Sequence, residues 1–214
     1  SYGNKLWGYP ISVETIGLIY NKALVNTPPK SFDEVFALNE KLAANGKRAI
    51  LWDYNNTYFT WPLLAANGGY VFEKTDAGLD VKSTGVNNAG AKQGGKVLAD
   101  LIEKGVMPKG ADYSVAEAAF NKGDSAMIIS GPWAWSNIEK SGIDFGVAPI
   151  PSINGEPGKP FVGVTAATLN AASPNKDLAV EFLENYLLDV EGLKTVNADV
   201  PLGAVANKAY MEEL

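Results

Sequence analysis

The 214-residue sequence contains no histidine and no cysteine. Their absence excludes Ser-His-Asp and Cys-His nucleophiles, thiolate redox chemistry and every zinc site built on His or Cys ligands. Arginine is almost as scarce, since Arg48 is the only one among 18 basic residues. The bidentate guanidinium fork that reads phosphates and base edges is therefore nearly missing, and a net charge of −6 repels a phosphate backbone. Nucleic acid is excluded as a partner. No apolar run approaches the ~20 residues that a membrane-spanning helix needs. There is no initiator Met, and no basic-then-apolar signal peptide follows Ser1-Tyr2-Gly3-Asn4-Lys5. The sequence opens on Leu6-Trp7-Gly8-Tyr9-Pro10-Ile11, which reads as a strand and suggests a cut from a longer protein. A cysteine-free chain fits an oxidising compartment without proving one.

What is present is a globular balance of 46% hydrophobic, 20% charged and 10% aromatic residues. The length suits one large domain or two modest ones. Strand signals at 16–20, 49–52, 125–129, 145–150 and 161–170 alternate with helical ones. Ser31-Phe-Asp-Glu34 is a capping box opening a helix that ends at Gly46, with Phe32, Val35, Phe36, Leu38 and Leu42 as its apolar stripe. Ser114-Val-Ala-Glu117 is a second capping box, with its helix stopped by Gly123. Helices are predicted at 63–66, from Asn87 to Lys104, after Gly131-Pro132-Trp133, over 176–188, near 190–197 and over 207–214. Residues 70–85 read as a small hairpin, and Tyr58-Phe-Thr-Trp-Pro62 as an aromatic cluster ahead of a helix. This alternation implies an α/β fold with a mostly parallel sheet flanked by helices. The helices after residue 170 have no later strand to return to.

Gly90-Ala-Lys-Gln-Gly-Gly95-Lys96 matches the start of a phosphate-binding loop. However, Val97 stands where a Mg²⁺-binding hydroxyl is required, and the stretch lies inside a helical pattern, so a plain helix is expected. Asn55-Asn56-Thr57 spells a glycosylation acceptor but reads better as a polar loop. Glu14, Asp53 and Asp112 fall at loop or strand ends, and two converging carboxylates would suffice for a glycoside hydrolase. The stronger signal is aromatic: Tyr58, Trp61, Tyr113, Trp133 and Trp135 fall at element ends or in loops. The carboxyl edge of an α/β sheet is where ligands sit. A ring exposed there suits the C–H face of a sugar, with carboxylates and amides meeting the rim hydroxyls. Trp7, Trp52 and Trp135 are expected in the core and Trp133 at a ligand. No catalytic residue, metal site or cofactor is assigned.

The stretch from Tyr113 to Trp135 (YSVAEAAFNKGDSAMIISGPWAW) resembles the periplasmic maltose/maltodextrin-binding protein family of ABC importers. Tyr58-Phe-Thr-Trp-Pro62, Lys159-Pro-Phe-Val-Gly-Val164, Asn170-Ala-Ala-Ser-Pro-Asn175 and Glu181-Phe-Leu-Glu-Asn-Tyr-Leu-Leu188 resemble it too, and the similarity covers essentially the whole chain. The resemblance implies a periplasmic-binding-protein-like lobe plus part of a second lobe. Residues 1–13 would end the first lobe and cross over, 14–161 would form the sugar-binding second lobe, and 162–214 would return to an incomplete first lobe. It implies maltose or maltodextrin held in an interlobe cleft by stacking on Tyr58 and Trp133, with Tyr113 lining the cleft and Glu14 a polar contact. Asn56-Thr57 replaces the family's carboxylate and proline, leaving Asn56 as the polar contact there. The implied partners are the sugar, the membrane subunits of an ABC importer, and a complementary chain or swapped copy supplying missing segments; the implied location is the periplasm. A carboxylate-dependent glycoside hydrolase and a ligand-free structural module are the competing readings.

Overall fold

The computed structural model describes residues 5–213. In chain order the first elements are β1 (Tyr9–Thr15), β2 (Gly17–Asn21), α1 (Phe32–Ala43), β3 (Arg48–Leu51), α2 (Thr57–Ala66), β4 (Glu73–Thr75) and β5 (Gly78–Asp80). Next come α3 (Ala89–Glu103), α4 (Tyr113–Asn121), β6 (Ser125–Ser130), α5 (Trp135–Lys140), β7 (Phe145–Ala148) and β8 (Val162–Ala167). The last are α6 (Lys176–Phe182), α7 (Val190–Asp199), β9 (Ala204–Val205) and α8 (Lys208–Glu213). The chain divides into two compact units. The larger comprises Ile16–Ser130 and Asn137–Phe161; the smaller comprises the stretch ending at Thr15, Gly131–Ser136 and the stretch beginning at Val162.

The larger unit is α/β, with a four-stranded sheet in the order β3-β6-β2-β7. The expectation of a mostly parallel sheet needs correction: β3 and β6 pair parallel, but β2 is antiparallel to both β6 and β7. Both antiparallel pairings involve β2, which lies between β6 and β7. All six residues of β6 are buried. Helix α1 adds Phe32, Val35 and Leu42 to the core, and burial of such side chains contributes ~1.5–3 kcal/mol each. Ser31 caps α1 by accepting from the Glu34 amide, while the Glu34 carboxylate takes the Lys30 N–H. The hairpin expected within 70–85 is β4 paired antiparallel with β5.

Two helix starts differ from their sequence readings. Helix α2 extends back to Thr57 and so contains the aromatic cluster, with Pro62 in its interior. Pro62 has no N–H to offer the Tyr58 carbonyl, a cost of ~3 kcal/mol. Burial of Phe59, Trp61, Leu63 and their small neighbours outweighs it. Helix α4 begins at Tyr113 under Asp112, whose carboxylate accepts from the Val115 amide at 2.8 Å. Asp112 lies ahead of Ser114 and caps at least as well. Glu117 therefore closes no capping box and accepts from the Asn137 side chain instead.

The glycines of the phosphate-loop look-alike lie in α3, as the helical reading requires. A Cβ on Gly90 would overlap the Asn67 carbonyl, and one on Gly94 the Leu63 carbonyl. They let the backbone of α3 approach that of α2.

The smaller unit holds an antiparallel sheet in the order β8-β1-β9. The two-residue β9 is a later strand that the sequence did not disclose. Its buried cluster is Leu193, Val205 and Tyr210, with Ile11, Leu188, Val190 and Leu202 packed against it. Helix α6 passes into a π-helical stretch, Leu183–Leu187. The apolar row Leu178, Phe182 and Tyr186 stays exposed within the chain. Trp7, expected in the core, is 65% exposed because it precedes β1. Trp52, by contrast, is fully buried in the larger unit and donates to Thr60 Oγ1.

Candidate functional site

The polar loop ahead of α2 is tied down by its own side chains. Asp53 Oδ1 accepts from the amides of Asn55 and Asn56, and Asn56 Oδ1 accepts from the Tyr58 amide as the helix cap. Asn55 Nδ2 donates to the Ala111 carbonyl, so the amide of the glycosylation look-alike joins two loops. With its oxygen engaged at the helix start, Asn56 has its NH₂ group to offer a hydroxyl.

The cap places Tyr58 at the first turn of α2, half-buried. Tyr58 meets Phe59 edge-on at 5.3 Å between centroids, and Phe59 meets Tyr113 at 5.8 Å. The Tyr113 hydroxyl lies 3.3 Å from Ser130 Oγ at the end of β6. Phe161 stacks on Trp61 at 5.2 Å with 9° between planes, and on Tyr58 at 6.3 Å and 14°. Edge-to-face and offset contacts of this kind add ~0.5–1.5 kcal/mol beyond area burial. Trp61, read from the sequence as an element-end ring, is mid-helix and buried. Phe59 and Phe161 were not singled out, although both sit inside quoted motifs beside residues that were.

Asn56, Tyr58 and Tyr113 are thus brought together in the larger unit. The other two candidates, Glu14 and Trp133, belong to the smaller unit. Glu14, on β1, accepts from Thr165 Oγ1 at 2.7 Å. Trp133 occupies a 3-10 turn, Pro132–Ala134, and is 37% exposed. Its ring folds over Gly131, where a Cβ would overlap it.

This arrangement supplies aromatic faces with amide and hydroxyl neighbours, the chemistry that meets a sugar ring. Asp53 and Asp112, at the starts of α2 and α4, each turn Oδ1 to backbone amides. A separate cavity of about 260 Å³ opens between α1 and α3. Within its lining Lys96 pairs with Asp100 at 2.8 Å and holds that carboxyl below its ordinary value, and Lys104 lies over the Phe36 ring. Among the described residues no helix is long and apolar enough to cross a membrane.

Residues 1–192 match the family model described as bacterial extracellular solute-binding protein. The galactooligosaccharide-binding protein of Bacillus subtilis is 33% identical over 89% of this chain and 47% of its own length. The maltotriose-binding protein of Pyrococcus abyssi is 34% identical over 93% of this chain and 44% of its own. A maltodextrin-binding protein of Bacillus subtilis is 34% identical over 98% of this chain and 53% of its own. The chain spans about half the length of these curated relatives.

Proposed function

Since the chain belongs to the bacterial extracellular solute-binding proteins, a family of binding proteins and not of enzymes, we propose that it binds an oligosaccharide, maltose or a maltodextrin first among them. The observation that carries this reading is the ring cluster at the head of α2. Half-buried Tyr58 and Tyr113 are held by neighbouring rings and by Ser130 beside the polar Asn56 cap. Tyr58 stacks a sugar ring, Tyr113 lines the same surface, and Asn56 meets a hydroxyl. In the smaller unit Trp133 is proposed as a further stacking ring and Glu14 as a polar contact.

The whole protein's role follows as a proposal: the sugar receptor of an ABC importer, working in the periplasm or at the cell exterior. Its partners would be the importer's membrane subunits. A complementary segment or second copy would cover the exposed row Leu178, Phe182 and Tyr186. Maltotriose titrated into the protein tests the sugar reading through tryptophan emission. The expected result is a saturable change that Trp133→Ala abolishes. Affinity is expected to be millimolar, about −4 kcal/mol, as befits two or three stacking contacts. Sustained release of reducing ends from maltodextrin would instead establish the hydrolase reading.

A further inference from the structure

Phe161 comes from a part of the chain remote from α2, yet its ring is parallel to two rings of that helix. It stacks on Trp61 at 5.2 Å and on Tyr58 at 6.3 Å. Tyr58 and Trp61 are three residues apart and so neighbours on the helix surface. Trp61 is 6% exposed and fixed in the core, whereas Phe161 is 42% exposed. The segment carrying Phe161 is itself fastened to α2. The Lys159 amide donates to the Pro62 carbonyl at 3.1 Å, and its ammonium to the Ala66 carbonyl at 2.8 Å. Phe161 is also the last residue of the larger unit before the chain passes to Val162. The Tyr58 ring therefore leans on a ring that is braced by the core and by the pinned segment 159–161.

We propose that Phe161 is a positioning residue for Tyr58: it fixes the orientation in which the tyrosine ring meets a sugar. This inference rests on the stacking role proposed for Tyr58. A tyrosine free to rotate must be immobilised when the ligand binds, and a ring already held avoids that loss.

The test uses the 214-residue protein with ring-¹³C-labelled tyrosine. Ring order at Tyr58 is measured by relaxation without ligand, and maltotriose affinity by titration. In Phe161→Ala the Tyr58 ring should lose order, and affinity should fall about two- to tenfold, the equivalent of one side chain to immobilise. Phe161→Tyr should restore both. In a Tyr58→Ala background, adding Phe161→Ala should change affinity no further. If Phe161→Ala fails to fold, Phe161→Leu, which keeps bulk but has no ring face, takes its place. An equally ordered Tyr58 ring in the variant overturns the proposal. So does an additive loss in the double variant, which would mean that Phe161 touches the sugar or merely supports the fold. A wild-type protein that binds no oligosaccharide would defeat the sugar reading alone, because ring order in the ligand-free protein still decides whether Phe161 positions Tyr58.

Discussion

Strands β6 and β8 are each six residues long and free of charge, and they meet opposite fates. Ser125–Ser130 is buried along its whole length in the larger unit. In the smaller unit, Val162 and Val164 of β8 are 66% and 61% exposed. Strand propensity and a neighbour to pair with are enough to make a ladder, since β8 pairs with β1 along its full length. A core requires a second layer. Strand β6 lies between two paired strands and against helix α4, whereas β8 is the edge of a three-stranded sheet. The difference therefore lies in what covers the strand.

The sharpest way to break this comparison is to remove the same kind of side chain from both strands. Ile128→Ala should lower the unfolding free energy of the larger unit by about 2–5 kcal/mol. Val164→Ala should change that of the smaller unit by less than about 0.5 kcal/mol. Urea titrations followed by circular dichroism report both, and equal losses would mean that β8 is covered in solution. A second pair of variants probes the helix layer that gives the larger unit its core. Gly94→Ala forces a methyl against the Leu63 carbonyl and should cost about 1–3 kcal/mol. At Gly95 the nearest atom to an added Cβ is Leu64 Cδ2 at 4.0 Å, so Gly95→Ala should gain up to about 1 kcal/mol from helix propensity. Thermal melts with the opposite ranking would refute the close contact of α2 with α3. The smallest effects come from helix caps. Asp112→Ala should cost about 1 kcal/mol and Ser114→Ala almost nothing. In the smaller unit Asp189 caps α7 through the Gly192 amide. There Asp189→Ala should speed hydrogen exchange in α7 while leaving the larger unit's exchange unaltered.

Much of this architecture was legible in the residues. Ser31 with Glu34 marked the start of α1, glycines marked helix ends, and the apolar runs at 49–52 and 125–129 became β3, shifted by one residue, and β6, one residue longer. The misreadings have identifiable causes. Pro62 reads as a breaker, and only the packing of Phe59, Trp61 and Leu63 shows why the helix continues through it. Ser114-x-x-Glu117 is a sound cap pattern, but Asp112 stands two positions earlier and reaches the helix amides first. Strand β9 has two residues and therefore no periodicity to detect. The direction of β2 against β6 and β7 is set by pairings between distant segments, which a pattern of alternating elements does not disclose. The aromatic signal at element ends picks out Tyr58, Tyr113 and Trp133 as candidates, along with Trp61, which proves to be buried mid-helix. The support from Phe59, Phe161 and Ser130 is a matter of spatial proximity, which no local spacing encodes.

The close approach of α3 to α2 has a consequence for how this surface can change over evolutionary time. Because Gly90 and Gly94 present bare backbone to Asn67 and Leu63, these two positions act as a gauge block that sets the height of α2, and with it the rings at the helix's other end. A variant that gains a methyl group there is expected to shift the α2 rings proposed to meet a sugar while leaving those rings themselves unaltered. On the proposed reading, drift in ligand preference can originate at these glycines, which touch none of the candidate ligand residues.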